Sequence, residues 1–288
     1  MKRVAVTTDS NSGISQQLGK ELGVFVLPMP FMMDGALYYE DITLAQAEFY
    51  NRLAGGAAIS TSSPSVQDLT ELWDGLLQTF DEIVHIPMSS GLSSSFATAR
   101  MIAQEYDGKV QVVDNKRISV TQKQSVLDAL ALAQAGTGAA EICRLMEENA
   151  AQSSIYIMVD TMTYLKKGGR VTPMAAAIGT VLNIKPVLQI NGDRLDAFAR
   201  VKGVKPAKRT MIDAMKKDFD GRFTADVAAG NMTLWVAYTY DTESASIFRQ
   251  EVMEAFPGYD IPMEPLSLSV SCHIGPGALA LASAKKLG

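Results

Sequence analysis

Residues 82–106, "EIVHIPMSSGLSSSFATARMIAQEY", contain the pattern that decides the fold. The short apolar run 82–88 predicts a buried strand, because strands covered on both faces read as continuous apolar runs. A serine-rich loop follows, and the amphipathic segment 94–106 predicts a helix. A strand that leads through a loop into a helix is the repeating unit of an α/β domain.

The same succession occurs on both sides of this segment. Residues 3–9 predict a strand, and residues 13–23 predict a helix that ends at Gly23. Residues 109–114 predict a further strand, and residues 120–136 a long helix. The order strand, helix, strand, helix predicts a parallel sheet with right-handed crossovers, which makes the first half a Rossmann-like domain.

A further helix is predicted between the segments 3–23 and 82–106. It lies in residues 61–80, where Ser63 can cap it and Pro64 can occupy its first position. Its spacing predicts a single apolar face, formed by Val66, Leu69, Trp73, Leu76, Leu77 and Phe80.

The second half of the sequence lacks the regular alternation of strands and helices, and we predict a mixed sheet there. Residues 154–160 predict a strand, and residues 185–200 alternate around Asn191-Gly192, which predicts a β-hairpin. Residues 264–286 predict a strand, a Gly-Pro-Gly turn and a short last helix. The expectation is therefore a two-domain α/β protein, with domains at residues 1–155 and 156–288.

Composition excludes several classes of protein. The chain has 288 residues, a net charge of −5 and 47% hydrophobic residues, which predicts ordinary globular domains and argues against nucleic-acid binding. Cys143 and Cys272 lack metal-site spacing and are expected to be buried thiols. The apolar stretch 173–184 is too short to span a bilayer. We expect a cytoplasmic protein that is not integral to a membrane and has no metal or cofactor.

Polar clusters stand at the predicted strand ends, where open α/β sheets place their ligands. They are residues 7–13, 60–65, 87–99 and 271–277. Serine and threonine at the start of a helix supply hydroxyl groups and backbone N–H groups that suit a carboxylate or phosphate. The same residues also cap helices in proteins of any function, so each cluster is open to both interpretations.

Two histidines and one basic segment complete the candidate groups. His85 lies inside an apolar strand and is expected to be a core residue. His273 stands at the end of the predicted strand 266–272, where packing and ligand contact are equally good interpretations. Residues 163–173, "TYLKKGGRVTP", predict a basic loop whose glycines precede Arg170 and allow the backbone to move.

Taken together and in order, these stretches resemble the DegV family over nearly the whole chain. The motifs are "TDS" (8–10), "FMMDGALYYEDIT" (31–43), "TSSPS" (61–65), "PMSSGLSSSFATA" (87–99), "YLKKGGR" (164–170), "LNIKPVL" (182–188) and "HIGPG" (273–277). The resemblance implies two α/β domains with a long-chain fatty acid buried between them. It also implies that the chain is a carrier and not an enzyme, serving a separate ATP-dependent fatty acid kinase in phospholipid synthesis.

The resemblance also assigns residues to the fatty acid carboxylate. Its contacts fall on Thr61, Ser93 and His273, with Arg170 close by. Further pocket residues would be Ser62, Gly91, Ser94 and Gly275. Burial of about 15 methylenes would contribute on the order of 10 kcal/mol before binding entropy is subtracted, which suffices for tight binding. The segment 173–184 would line the channel.

A basic segment is a candidate docking face for the kinase, or else an ordinary solvated helix face. Its residues are Lys202, Lys205, Lys208 and Arg209. Two departures from the family pattern, "KRISVTQ" (116–122) and Ser94, would reshape the pocket.

Other functions remain open at this point. One alternative is a serine hydrolase or acyltransferase that acts on lipid esters through Ser93 and His273. Another is a regulatory module that senses a small carboxylate.

Overall fold

The computed structural model describes residues 2–40, 42–177, 183–190 and 194–287. The chain forms two compact units. The first unit consists of Met1–Ala45, Gly56–Ala151 and Leu287–Gly288, and the second of Gln46–Gly55 and Gln152–Lys286. Both units are α/β, as the sequence predicted.

The first unit is built on a parallel sheet. The strands of the unit are β1 (Val4–Asp9), β2 (Phe25–Leu27), β3 (Pro30–Met33), β4 (Ala36–Tyr39), β5 (Ile59–Thr61), β6 (Glu82–Ile86) and β7 (Val110–Val112). Four of them form the parallel sheet in the order β2-β1-β6-β7. The other three form a small antiparallel sheet in the order β4-β3-β5.

Helices of the first unit cover both faces of the parallel sheet. The helices in this half of the chain are α1 (Gln16–Leu22), α2 (Gln46–Ala54), α3 (Val66–Leu76), α4 (Ser95–Ala103), α5 (Ser119–Gln134) and α6 (Ala139–Glu148). All belong to the first unit except α2, which belongs to the second. Successive residues of a strand point to opposite faces. Val6 and Val84 accordingly lie in one apolar cluster, and Ala5 and Ile83 in another. Burial on both faces explains the continuous apolar runs of these strands.

The predicted start of α3 was wrong by two residues. Ser65, not Ser63, caps the helix, because its hydroxyl accepts from the N–H of Asp68 while Asp68 accepts from the N–H of Ser65. This reciprocal pair satisfies two N–H groups at once. Val66 therefore begins the helix and is 52% exposed, whereas Leu69 and Trp73 of the predicted apolar face are buried.

A mixed sheet of six strands forms the second unit. Its strands are β8 (Ser153–Met158), β9 (Ile184–Ile190), β10 (Leu195–Lys202), β11 (Met232–Tyr238), β12 (Met263–Pro265) and β13 (Leu279–Lys285). They lie in the order β10-β9-β8-β13-β11-β12, and all neighbours are antiparallel except β11 and β12. The pairing of β9 with β10 confirms the predicted hairpin, whereas its Asn191-Gly192 turn lies outside the described residues.

The helices of the second unit, besides α2, are short except for two. They are α7 (Thr163–Gly168), α8 (Pro173–Ala176), α9 (Val204–Asp220), α10 (Thr224–Ala228), α11 (Thr242–Ala255) and α12 (Leu268–Ile274). The described part of the predicted channel segment includes α8, and residues 178–182 lie outside the described residues. Among the described residues, no helix combines the length and apolarity that crossing a membrane requires.

The prediction for the C-terminal segment was wrong. Residues 268–274 form a helix and residues 279–285 form a strand, the reverse of the predicted order. The alanine-rich sequence of β13 favours a helix locally. Yet β13 lies between β8 and β11 and is buried over Leu279–Ala284, so small side chains fit where the sheet is covered on both faces. Tertiary packing thus overrides local propensity here.

Candidate functional site

Asp9 organises the carboxyl end of the parallel sheet. It is the last residue of β1 and is 1% exposed. Its carboxylate accepts hydrogen bonds from the N–H of Met88 at 2.8 Å, the N–H of Asn11 at 3.0 Å and Nε2 of Gln122 at 3.2 Å. Burial raises the pKa of Asp9 to about 6, and these hydrogen bonds act in the opposite direction. Asp9 therefore ties the serine-rich loop that follows β6 to the end of β1.

The serine-rich loop binds its own hydroxyl groups together. The Oγ atoms of Ser93 and Ser95 are 2.7 Å apart, and the N–H of Ser95 donates to Ser93 Oγ at 3.1 Å. Ser94 Oγ lies 2.9 Å from Oγ of Ser63, which joins this loop to the segment that precedes α3. When Ser95 donates to Ser93, the Ser93 hydroxyl accepts two bonds, and its own proton is then directed to a third group.

The fold places Thr61 at the end of a strand, and it places Ser62 and Gly91 in loops. Thr61 is the last residue of β5 and pairs with Phe31 in the small antiparallel sheet. Ser62 is exposed, and Gly91 is partly exposed within the serine-rich loop. The contact between Ser63 and Ser94 brings the predicted clusters 60–65 and 87–99 together within the first unit.

A cavity lies within the first unit beside these groups. It is small, with a volume of about 10 Å³, which is room for about one water molecule, and its lining residues are Asp9, Leu27, Pro64, Leu69, His85, Ser95, Thr98 and Ala99. Small-molecule pockets typically have about 300–1,000 Å³. The cavity as it stands is therefore too small for any part of a long-chain ligand.

His85 is buried, as the sequence predicted, and is 2% exposed. Its Nδ1 lies 2.9 Å from Oγ1 of Thr7, and the indole of Trp73 meets its ring edge-on, with centroids 5.5 Å apart. Burial lowers the pKa of His85 to about 3, so the ring is neutral at physiological pH.

The basic segment 163–173 begins as a helix and not as the predicted loop. Residues Thr163–Gly168 form α7, which ends at Gly169 in a left-handed conformation with φ of 69°. Lys166 and Lys167 are exposed on this helix. Arg170 follows the helix end and donates from Nη1 to the carbonyl oxygen of Gly168. The glycines therefore serve to end a helix and to bend the Arg170 side chain back toward it.

Two glycines allow α7 and α12 to approach closely. A Cβ atom on Gly168 would lie 2.2 Å from Nδ1 of His273, and one on Gly275 would lie 2.3 Å from the ring of Tyr164. Gly275 has φ of 77° and ψ of 178°, a conformation that is essentially restricted to glycine. The contact places His273 in the last turn of α12, against the end of α7, and not at a strand end as predicted.

Arg170 and His273 lie near enough to influence each other electrostatically. Burial, and secondly the positive charge of Arg170, lower the pKa of His273 to about 4. In the protein without ligand, the imidazole at neutral pH is thus a neutral group beside a permanent cation. This combination suits an anion, because the guanidinium supplies charge and the imidazole can supply a hydrogen bond.

The predicted basic docking face is smaller than expected. Lys208 is buried at 7% exposure, pairs with Glu251 at 3.2 Å and lies over the ring of Phe248 at 5.7 Å. It is therefore a structural residue, and its inclusion in the face was wrong. Lys202, Lys205 and Arg209 are exposed, although Arg209 lies 3.7 Å from Asp213.

Both cysteines are buried thiols, as predicted. Burial raises the pKa of Cys143 to about 11, so the thiol is inert at neutral pH. In the part of the chain that the structure describes, no cluster of histidine, cysteine, aspartate and glutamate has the arrangement of a metal site.

The sequence did not reveal the residues that hold the candidate site residues in place. Asp9 appeared only as part of the cluster 7–13, and Gln122, which donates to Asp9, Thr8 and the carbonyl oxygen of Ile86, was not singled out. Gly168 was interpreted as a source of motion, whereas it lies directly against His273. The early "TDS" motif was the one available signal for Asp9.

The first unit thus has a hydroxyl-rich loop at the end of its parallel sheet, and the second unit has Arg170 near His273. The family model described as "Uncharacterised protein, DegV family" matches residues 3–286. This chain therefore belongs to the DegV family, and the resemblance found in the sequence is confirmed.

Several relatives match along their whole length. A DegV domain-containing protein of Deinococcus radiodurans is 30% identical, and the match covers 97% of each chain. The structure of a DegV family protein from Thermus thermophilus, described by its fatty acid binding, is 28% identical with a TM-score of 0.88, covering 98% of this chain and 99% of that one. A stearic acid-binding protein of Eubacterium ventriosum has the same fold, with a TM-score of 0.86 and 22% identity over 99% of each chain.

Proposed function

We propose that this chain binds a long-chain fatty acid and presents its carboxylate to a separate ATP-dependent kinase. The observation that carries the proposal is the likeness, over 98% of the chain, to the DegV family protein of Thermus thermophilus that is described by its fatty acid binding. The first unit and the second unit each contribute features that fit such a ligand.

The first unit offers apolar side chains that an acyl chain could contact. Leu27, Pro64, Leu69 and Ala99 line the small cavity beside the serine-rich loop, which would have to widen to admit methylenes. Each methylene removed from water would contribute about 0.8 kcal/mol.

The headgroup proposal assigns the carboxylate to Thr61, Ser93, Arg170 and His273. An ionised carboxylate is stable away from water only with charged or hydrogen-bonding partners. The hydroxyl arrangement at Ser93 allows one proton to be directed to an acceptor, and Arg170 beside His273 supplies positive charge. Ser62, Gly91, Ser94 and Gly275 would border the bound group.

In the proposed reaction the chain is a carrier and the partner is the catalyst. The kinase would transfer the γ-phosphoryl group of ATP to a carboxylate oxygen, which yields an acyl phosphate and ADP for use in phospholipid synthesis. The chain would act in the cytoplasm, where ATP is available. The exposed residues Lys202, Lys205 and Arg209 are the proposed docking face.

The docking proposal is tested by charge reversal. The double variant Lys205→Glu/Arg209→Glu should slow acyl phosphate formation by the kinase at low salt, because complementary charge steers association. Its fatty acid affinity should equal that of the wild type. Loss of both properties together, or of neither, would refute this face.

The binding proposal is tested by the lipid that accompanies the protein. Organic extraction of protein purified from bacterial cells, followed by mass spectrometry, should yield long-chain fatty acid. A protein that is repeatedly empty and takes up neither palmitate nor oleate would refute it. Sustained turnover of a lipid ester that Ser93→Ala abolishes would instead establish the hydrolase alternative.

A further inference from the structure

Helix α2 lies in the first half of the sequence, yet it belongs to the second unit. Its buried residues are Phe49, Tyr50 and Leu53, of which Tyr50 is 4% exposed. The Tyr50 hydroxyl group donates to Oγ of Ser271 at 2.9 Å, although the two residues are 221 positions apart. A buried hydroxyl group is costly without a partner, so this hydrogen bond ties α2 to α12.

Ser271 is the residue through which α2 holds α12. It is buried, and its hydroxyl group accepts from Tyr50 and donates to the carbonyl oxygen of Leu266 at 3.4 Å. Its own carbonyl oxygen accepts from the N–H of Gly275 at 2.8 Å. Helix α12 has only seven residues, and a helix that short is marginal by itself. Its position therefore depends on contacts with the rest of the unit.

The ring of Tyr50 is itself fixed by two aromatic neighbours. Phe49 meets it edge-on with centroids 5.0 Å apart, and the ring of Tyr240 lies 4.9 Å from it. Tyr240 has a left-handed backbone with φ of 64°, which is uncommon for a bulky residue. The adjacent Thr239 donates from its N–H to the carbonyl oxygen of Ala278 at 3.1 Å, which attaches this turn to the segment that follows α12. The hydroxyl group of Tyr50 is therefore held in a defined place.

Ser271 and His273 point to nearly opposite sides of α12, because positions two apart in an α-helix are separated by about 200° around its axis. Helix α2 therefore supports α12 on one side. On the other side lies α7, where a Cβ atom on Gly168 would be 2.2 Å from Nδ1 of His273. A hydrogen bond weakens steeply when its angle departs from the optimum. A shift of α12 away from α7 would thus misdirect the imidazole of His273 relative to an anion that it binds.

We propose that Tyr50 is a positioning residue for the carboxylate contact of His273. Its hydroxyl group, through Ser271, holds α12 so that the imidazole of His273 is directed to the headgroup of the bound fatty acid. In this role Tyr50 acts through α12 and not by contact with the ligand. This inference rests on the proposed function, since it concerns how the same site is built.

The test compares the dissociation constants of oleate for the delipidated wild type and its variants. Tyr50→Phe removes the hydroxyl group and retains the ring, and Ser271→Ala removes the other partner of the same hydrogen bond. Tyr259→Phe is the matched control, because Tyr259 packs in an aromatic cluster of the same unit. Both tyrosine substitutions are also made in the His273→Ala background. Circular dichroism and the melting temperature verify that each variant is folded.

We expect Tyr50→Phe and Ser271→Ala each to weaken oleate binding about five-fold, the value of one neutral hydrogen bond, and Tyr259→Phe to leave it unchanged. In the His273→Ala background, Tyr50→Phe should cause no further loss, because its effect passes through His273. The gain in affinity for a long-chain alkyl sulfonate at low pH, which depends on His273, should be smaller in Tyr50→Phe than in Tyr259→Phe.

The outcomes separate this inference from the function on which it rests. Unchanged affinity in Tyr50→Phe, or a loss that is equal with and without His273, would overturn the inference and leave the proposed function standing. Failure of the wild type to bind oleate would overturn the proposed function itself.

Discussion

The serine-rich loop of the first unit and the α7–α12 contact of the second position their polar groups in different ways. In the loop, Ser93, Ser94 and Ser95 are held by hydrogen bonds to other side chains and to the backbone. In the second unit, His273 is positioned by a glycine that allows close packing. The position of Ser93 therefore depends on hydrogen bonds between hydroxyl groups, whereas the position of His273 depends on the absence of a side chain at Gly168.

The two regions also offer a ligand different chemistry. The loop offers neutral hydroxyl groups near the buried carboxyl of Asp9. The α7–α12 contact offers the cation Arg170 near His273, an imidazole of lowered pKa. Substitutions should therefore act through hydrogen bonding in the first region, and through sterics and charge in the second.

The largest effect is expected at Gly275 of the α7–α12 contact. Gly275→Ala forces a side chain into a backbone conformation that suits glycine and toward the ring of Tyr164, which should lower the free energy of unfolding by about 4 kcal/mol. Gly230→Ala is the matched control, because Gly230 has φ of 70° and no atom near its Cβ position. It should cost about 1–2 kcal/mol. Equal losses in urea denaturation would show that packing at Tyr164 is unimportant.

The next effect concerns the carboxyl beneath the serine-rich loop. The pKa of Asp9 rises from 3.8 to about 6 on folding, so the folded state favours the protonated form. The contribution of Asp9 to the free energy of unfolding is fully present below pH ~4 and is lost as pH rises through about 6, a total change of about 3 kcal/mol. The unfolding free energy of the wild type minus that of Asp9→Asn should fall by most of this amount, about 2 kcal/mol, between pH 4 and 7. A difference that stays constant would mean that Asp9 has an ordinary pKa.

A smaller effect is expected at His273. His273→Ala should weaken fatty acid binding about ten-fold, because it removes a hydrogen bond to a charged group, without unfolding the protein. Lys167→Ala, on the exposed side of α7, is the control and should leave the dissociation constant unchanged. Unchanged affinity in His273→Ala would return this residue to a packing role.

The same histidine predicts a pH dependence of binding. A bound anion should raise the pKa of His273 above its value of about 4 in the ligand-free protein. The added affinity is then fully present below pH ~4 and is lost as pH rises through the raised pKa of the complex. A long-chain alkyl sulfonate, which stays ionised throughout, is the suitable probe. His273→Ala should show no such dependence.

The smallest effect is expected within the hydroxyl network. Ser63→Ala removes one hydrogen bond to Ser94 at a partly exposed position, and should lower the unfolding free energy by about 0.5 kcal/mol. Ser93→Ala removes the acceptor of the Ser95 N–H and should cost about 1 kcal/mol. If Ser63→Ala costs as much as Ser93→Ala, the loop depends on the whole network and not on its central pair.

The sequence was a good guide where local pattern and packing agree. The strands around Ala5, Val6, Ile83 and Val84 were predicted because burial on both faces demands continuous apolar runs. The hydroxyl-rich cluster at Ser93 was predicted because serine and threonine are common where a helix begins.

The sequence was a poor guide where distant segments decide. The alanines of β13 favour a helix locally, but pairing with β8 on one side and β11 on the other makes this segment a strand. Lys208 belongs to a basic run, and its burial depends on Glu251 and Phe248, more than 35 residues away. The role of Gly168 depends on His273, 105 positions later, which no local pattern contains.

The central claim, binding of a long-chain fatty acid through its carboxylate, is tested most directly by calorimetric titration of delipidated protein with oleate and with methyl oleate. We expect saturable binding of oleate with micromolar or tighter affinity, and binding of the ester at least about ten-fold more weakly, because the ester lacks the charge that Arg170 and its neighbours would bind. Absence of oleate binding, or equal affinity for the acid and its ester, would contradict it.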